Sequence, residues 1–227
     1  MNIASLAGLR IVVSAGPTFE DIDPVRFIGN RSSGKMGFAV AAAAAQRGAR
    51  VALVAGPVSL PTPAGVERIN VRSAAQMHGA VMAALPADVY VGAAAVADFA
   101  PAHAVASKIK KQAGQDSLTL TLVRTRDILA DVADHAQRPR VVVGFAAETD
   151  HVEAYARGKL EKKRLDLIAA NRVGESGSGF ESDDNALTVY AVDGSVHALG
   201  PAAKTQLADE LLDLIAARLN QGPATTA

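Results

Sequence analysis

The chain has no cysteine and no tryptophan among its 227 residues. Without a thiol there is no disulfide, no thiolate nucleophile and no zinc–thiolate centre. Aromatic residues are scarce, 4% against 49% hydrophobic residues overall, so a core must be built from aliphatic side chains and alanine. An excess of either charge is missing too, because 23 basic residues balance 23 acidic ones. A neutral chain has no bulk field to hold nucleic acid, which leaves only local basic sites to consider. No apolar run reaches the about 18 residues of a membrane span, and the first residues show no basic stretch followed by a long apolar one, so no signal peptide is expected. These absences predict a cytoplasmic protein. The histidines, His78, His103, His135, His151 and His197, share no metal-ligand spacing and follow no acid in a hydrolase pattern, so a Ser–His–Asp enzyme is not supported.

What is present is alternation. Residues 10–14, 51–54, 67–71, 89–94, 141–145 and 167–170 read as short strands, most of them apolar on both faces. Between them, helical patterns cover 34–47 (closed by Gly48), 73–85 (capped by Ser73), 127–136 and 152–164. Continuous apolar strands alternating with helices predict an α/β fold with a mostly parallel sheet covered on both faces. Ligands then bind at the carboxyl ends of the strands. Two segments break the pattern. Residues 118–122, Leu-Thr-Leu-Thr-Leu, alternate with period two, and residues 107–112 before them are lysine-rich. Together they predict a β-ribbon arm over about residues 102–124. Residues 186–199 predict a hairpin turning at Asp193-Gly194. The tail from 221 to 227 is expected to be disordered. With no internal repeat and no long linker, residues 1–227 are read as one domain.

Four groups of residues could carry chemistry. Gly29-Asn30-Arg31-Ser32-Ser33-Gly34-Lys35-Met36-Gly37 nearly spells a P-loop and misses at its last position. Met36 stands where such a loop needs a hydroxyl for Mg2+, and a thioether is a poor ligand for a hard cation. A plain glycine loop and a phosphate-binding turn of another family are both open readings. Lys108-Ile109-Lys110-Lys111 is either solvated surface or a lid that brings lysine to a polyphosphate. Lys159 and Lys163 lie one helical turn apart, on a solvated face or on a ligand. Asp98, just after the fourth strand, can meet a ribose hydroxyl or a metal, or cap the next turn.

These pieces resemble, in this order, the phosphopantothenate–cysteine ligase family, also called phosphopantothenoylcysteine synthetase. The resemblance is carried by Ala15-Gly16-Pro17-Thr18, Asp23-Pro24-Val25-Arg26, Asn30 to Gly37, Ala95-Val96-Ala97-Asp98, Lys108 to Lys111, Gly144-Phe145-Ala146-Ala147-Glu148-Thr149 and Asn185-Ala186. It implies a homodimer with a Rossmann-like core that needs Mg2+ and joins 4′-phosphopantothenate to L-cysteine. CTP serves as co-substrate in the bacterial type. The product is 4′-phosphopantothenoylcysteine, formed through an acyl-cytidylate with release of pyrophosphate and CMP. By position, the resemblance assigns Gly92, Ala93, Ala94, Asp98, Arg126, Asp127, Ile128, Leu129, Phe145, Lys159 and Lys163 to the nucleotide. It assigns Lys108 to a lid over phosphate and Asn30 to the acyl intermediate. Arg26, Ser32, Ser33, Gly34 and Lys35 fall to phosphate or substrate. Arg126 departs from the smaller residue or proline expected there. Bacterial relatives commonly carry a flavin-dependent decarboxylase as a first half. No such half is seen in this sequence, so no FMN is expected, and Ser5 to Leu9 resembles the junction between halves. A nicotinamide-dependent reductase on the same kind of sheet is opposed by the missing G-x-G-x-x-G after the first strand. A P-loop kinase is weakened by Met36, and a nucleotide sensor without turnover is the non-enzymatic alternative.

Overall fold

A computed structural model describes residues 4–111, 116–148, 150–172 and 184–221. From β1 (Arg10–Ala15) the chain makes a short hairpin, β2 (Phe19–Asp21) and β3 (Phe27–Gly29), before α1 (Lys35–Gln46) and β4 (Arg50–Ala55). Then come β5 (Val66–Asn70), α2 (Ala74–Ala83) and β6 (Val89–Gly92). The strands β7 (Phe99–Pro101) and β8 (Leu122–Arg124) pair with each other, and α3 (Ile128–Ala133) leads into β9 (Val141–Glu148). The rest is α4 (Val152–Lys162), β10 (Leu167–Arg172), β11 (Asp184–Ala191), β12 (Val196–Ala203) and α5 (Lys204–Gln221).

One eight-stranded sheet runs in the order β12-β11-β10-β9-β6-β1-β4-β5. The six strands from β10 to β5 are parallel, and β11 and β12 join antiparallel at one edge. The apolar runs have the reason expected of them: side chains alternate across the sheet, and both faces are covered. Ile11, Val13 and Leu53 point to one face, where α1 and α5 pack through Val40, Leu207, Leu211 and Ile215. Val12, Tyr90, Val142 and Ile168 point to the other, against Met77, Val81, Val132 and Leu160 of α2, α3 and α4. Ser73 caps α2 as predicted, in a capping box with Gln76, which satisfies two donors that the helix start leaves open. The 186–199 hairpin is present as β11 and β12.

Three expectations need correction. The last helix, α5, was not predicted, although Leu207, Leu211, Ile215 and Leu219 fall at helical spacing and are buried. Its start is hidden because Lys204 follows directly on β12, with no separating turn. The arm is smaller than predicted. Only Leu122 of the period-two segment lies in a strand, pairing with Pro101 across β7 and β8, and residues 118–122 are all exposed. Beyond its own two strands this short ribbon meets chiefly β2, along β7, so β8 is exposed throughout. Residues 112–115 of the arm lie outside the described residues. The tail expected from 221 begins inside a helix: Gln221 ends α5, and 222–227 lie outside the described residues. Among the described residues no helix is long and apolar enough to cross a membrane.

Candidate active site

The strand order reverses at β1. From there the chain builds outward through β4 and β5, then returns to β6 on the other side and continues through β9 and β10. The crevice at the carboxyl ends of β1 and β6 is therefore the topological switch point, where open parallel sheets bind ligands. A cavity of about 640 Å³ lies there.

The glycine turn forms one wall. Gly34 has φ 76°, in the left-handed region, and no side chain caps α1 behind it. A Cβ on Gly37 would lie 2.5 Å from the Cβ of Ala15 and 3.3 Å from that of Ala93. Only glycine lets the first turn of α1 rest directly on the ends of β1 and β6. Ser32, Ser33, Gly34 and Lys35 thus line the cavity at a helix N-terminus, a place whose backbone donors and dipole favour an anion.

Across the cavity are Gly92, Ala93, Ala94 and Asp98, then Arg126, Asp127, Ile128, Leu129 and Phe145. Asp127 is the N-cap of α3, accepting from the Ala130 N–H. Gly92 is packed so closely by Leu129 that an added Cβ would lie 2.6 Å from its Cδ1. Lys159 and Lys163 reach in from α4, and both hold carboxylates. Lys159 Nζ is 2.6 Å from Glu148 Oε1, and Lys163 Nζ is 2.8 Å from Asp127 Oδ2. Arg126 pairs with Asp131 at 3.0 Å, and Asp131 also meets His78 Nε2 at 2.8 Å. Deeper in, Ser14 Oγ and Tyr90 Oη share a buried hydrogen bond of 2.9 Å, and burial pushes the Tyr90 phenol above its ordinary value. Neutral hydroxyls and paired lysines make no activated nucleophile, and no histidine lines this wall. The lining is suited to holding anions rather than to attacking them.

Three residues assigned from the resemblance stand outside this lining. Asn30 donates from Nδ2 to the Ala95 carbonyl at 3.1 Å, which ties the loop after β3 to the cavity wall. Arg26 is turned to the arm: it pairs with Asp23 and donates to the Ile109 carbonyl at 2.9 Å. Ile109 N–H returns a bond to Asp23 Oδ2 at 3.1 Å. Lys108 is therefore next to a pinned residue, and it does not line the cavity. Thr149 of the Gly144–Thr149 motif lies outside the described residues.

The structure adds lining residues that sequence reasoning missed: Arg124, Thr125, Asn171 and Lys204, together with Asn185, quoted in a motif but given no role. Lys204 is buried at the start of α5, so its signal was lost with that helix. Asn171 and Asn185 meet the same cavity through the β10–β11 part of the sheet, which the motif around Asn185 does not by itself indicate.

For a divalent cation, no group of three or more His, Asp or Glu among the described residues forms a protein-only site. Mg2+ is commonly held by one or two carboxylates plus substrate phosphates, and Asp98, exposed on the cavity wall, fits that sparser requirement.

Similarity to known proteins follows the same boundaries. The family model for the DNA/pantothenate metabolism flavoprotein C-terminal domain matches residues 6–219. The coenzyme A biosynthesis bifunctional protein CoaBC of Vibrio parahaemolyticus is 53% identical over 209 residues, covering 92% of this chain and 52% of that protein. CoaBC of Escherichia coli (strain K12) is 50% identical over 221 residues, covering 96% and 54%. The chain thus spans about half the length of the curated relatives it matches. A crystal structure of the C-terminal domain of a CoaBC superposes with a TM-score of 0.81 at 39% identity, covering 95% of this chain and 98% of that one. The match of sequence and fold runs through both walls of the cavity, and the chain belongs to the family of DNA/pantothenate metabolism flavoprotein C-terminal domains.

Proposed function

We propose that this domain joins 4′-phosphopantothenate to L-cysteine at the expense of CTP. The observation that carries the reading is the placement, across one cavity, of a glycine-rich helix start and two lysines on α4. Relatives named as coenzyme A biosynthesis proteins support it. In the first half-reaction a carboxylate oxygen of phosphopantothenate attacks the α-phosphorus of CTP. The bond to the β-phosphate breaks and pyrophosphate leaves. In the second, the cysteine amine attacks the acyl carbon of the acyl-cytidylate, the bond to CMP breaks, and the amine nitrogen loses a proton.

Such chemistry needs positioning and charge stabilisation more than covalent help. Backbone donors and Lys35 at the start of α1 are placed for phosphate, as are Lys159 and Lys163. Ile128, Leu129 and Phe145 give an apolar wall for a base. The Asn30 amide retains hydrogen-bonding capacity beyond its bond to Ala95, and the loop it secures borders the cavity. Bound Mg2+ would neutralise phosphate charge, with Asp98 as its protein ligand. Lys108 would close over the phosphates by movement of the arm about its anchor at Ile109. Met36 and the hairpin between β1 and α1 set this site apart from a P-loop and from a direct strand-to-helix dinucleotide turn.

A homodimer is part of the proposal. Val25, Phe27, Phe99, Leu118, Leu120, Leu122 and Val123 are each between 37% and 60% exposed. They cluster on the two short hairpins, and a second copy offers them a complementary surface. A decarboxylase half fused to this domain in the full-length protein is proposed from the relatives' bifunctional name. The deciding experiment measures pyrophosphate release with CTP or ATP, phosphopantothenate and cysteine. Release with CTP that depends on phosphopantothenate, and amide product that depends on cysteine, are expected. NADPH binding without CTP binding would overturn the reading.

A further inference from the structure

A polar relay runs from α2 through α3 and ends at the active-site cavity. Met77 and Val81 of α2 pack in one core layer with Ile128 and Val132 of α3. Beside that layer, His78 Nε2 lies 2.8 Å from Asp131 Oδ2, and the same oxygen lies 3.0 Å from Arg126 Nη2. Arg126 precedes Asp127, the N-cap of α3, and lines the cavity. None of the three belongs to the motifs that carry the family resemblance, and the resemblance expects a smaller residue or proline at 126. The trio therefore lies outside what the resemblance explains.

Exposure rises along the relay. The side chain of His78 is 11% exposed, that of Asp131 34% and that of Arg126 70%. An ion pair so open to water adds little to folding stability. Its effect on geometry is greater. A long arginine side chain loses rotamer freedom when a ligand holds it. One already held by a carboxylate has lost part of that freedom beforehand. Asp131 is itself held by a mostly buried imidazole on the neighbouring helix, so the tether has a fixed end.

Among the described residues the Arg126 guanidinium has no partner but Asp131, so Nε and Nη1 remain to donate. Lys163 holds Asp127, the next residue in the chain, at 2.8 Å. A phosphate group at Lys163 is the ligand group this arrangement offers to Arg126, and a planar fork of donors suits its oxygens.

We propose that Arg126 contacts the phosphates of the bound nucleotide, with Asp131 as its positioning residue and His78 holding Asp131 in place. This role rests on the nucleotide reading of the cavity. The sign of one substitution separates positioning from simple charge. If Asp131 only neutralised Arg126, its removal would tighten anion binding. As a positioning residue, its removal weakens binding, and only while Arg126 is present.

Calorimetry with CTP and inorganic tripolyphosphate on the whole 227-residue chain tests this, at physiological salt, where exposed charges are screened beyond about 8 Å. Arg126→Ala should weaken both probes at least about tenfold, the loss of a charge-assisted bond. Asp131→Ala should weaken both about threefold or more, with no further loss when Arg126 is already alanine. His78→Leu should act in the same direction, and His78→Gln, which keeps an Nε2 donor, should bind as wild type does. Unchanged or tighter CTP binding in Asp131→Ala overturns the positioning role. So does an equal loss from Asp131→Ala in the Arg126→Ala background, the mark of a disturbed α3. A loss for CTP that tripolyphosphate does not share overturns the phosphate contact. If wild type makes amide product and both variants bind CTP as tightly as it does, the ligase reading stands and this role fails. If tripolyphosphate binding depends on Arg126 and Asp131 but CTP is not turned over, this role stands and the ligase reading fails. Binding of neither probe by wild type overturns both.

Discussion

The central sheet and the two small hairpins obey opposite rules. In β1, β4 and β6 nearly every side chain is buried, and Val13, Leu53 and Val91 have no exposed surface at all. In β3, β7 and β8 the large apolar residues remain in solvent: Phe27 is 45% exposed, Phe99 44% and Leu122 41%. The sheet finds all its cover within one chain, from helices packed on both faces. The hairpins have no such cover, and what holds them is polar and aromatic. Arg72 lies over the stacked rings of Phe19 and Phe27 and pairs with Asp21, while Asp23 ties the β2–β3 turn to the arm. One part of the molecule is covered within the single chain, and the other leaves its large apolar residues in solvent.

The largest effect that separates the two parts is expected at Leu53. Leu53→Ala removes fully buried contacts between β4 and α1 and should destabilise the chain by about 2–5 kcal/mol, read from denaturant unfolding. A loss below about 1 kcal/mol, the range of an exposed site, would break the distinction at its stronger end.

Leu120→Asp should do the reverse. The residue is exposed in the single chain, so unfolding of the monomer should change by no more than about 0.5 kcal/mol. Association should weaken at least tenfold, about 1.4 kcal/mol, because a carboxylate would enter an apolar contact. Sedimentation at several concentrations measures this. A wild type that stays monomeric and fully active would show that the hairpins meet something other than a second copy.

The smallest effect is present near neutrality and fades in acid. Hydrogen bonds from Arg26 and from the Val25, Ile109 and Arg26 amides hold the Asp23 carboxyl well below the usual carboxylate range, in the face of its burial. A group depressed in the folded state stabilises it above the unfolded pKa, about 3.9, and loses that contribution as pH falls towards the folded value. Asp23→Asn should therefore lower stability near neutrality and flatten its decline below about pH 4. Parallel acid limbs in variant and wild type would show that Asp23 does not anchor the arm.

The same contrast decides what the sequence revealed. Strands 10–14, 51–54 and 141–145 were legible because burial on both faces writes itself as an unbroken apolar run. The turn at Gly34 and Gly37 was legible because two close approaches leave no alternative to glycine. The ribbon was misread because alternation at 118–122 normally marks one buried face, and here the single chain supplies none. Helix α5 was missed although its apolar spacing is regular, since β12 runs into it without a break and Lys204 stands at the junction as if on the surface. Among the site residues, Lys159 and Lys163 were visible as a spacing, but their partners Glu148 and Asp127 come from a strand end and a helix cap that only the fold brings near. Asn171 was beyond any local pattern for the same reason, and Asn185 showed only as part of a motif whose role the fold reveals.

Those two partners change what arrival of a ligand means. On the proposed reading, an anion entering the candidate active-site cavity would not find bare lysines; it would displace Glu148 from Lys159 and Asp127 from Lys163. Recognition becomes an exchange of counterions, in which the protein's own acids stand in for the absent guest. The exchange leaves the scaffold intact on one side at least, because Asp127 continues to receive the Ala130 N–H and α3 keeps its cap. A lysine can thus be released to a ligand while the helix beside it stays folded.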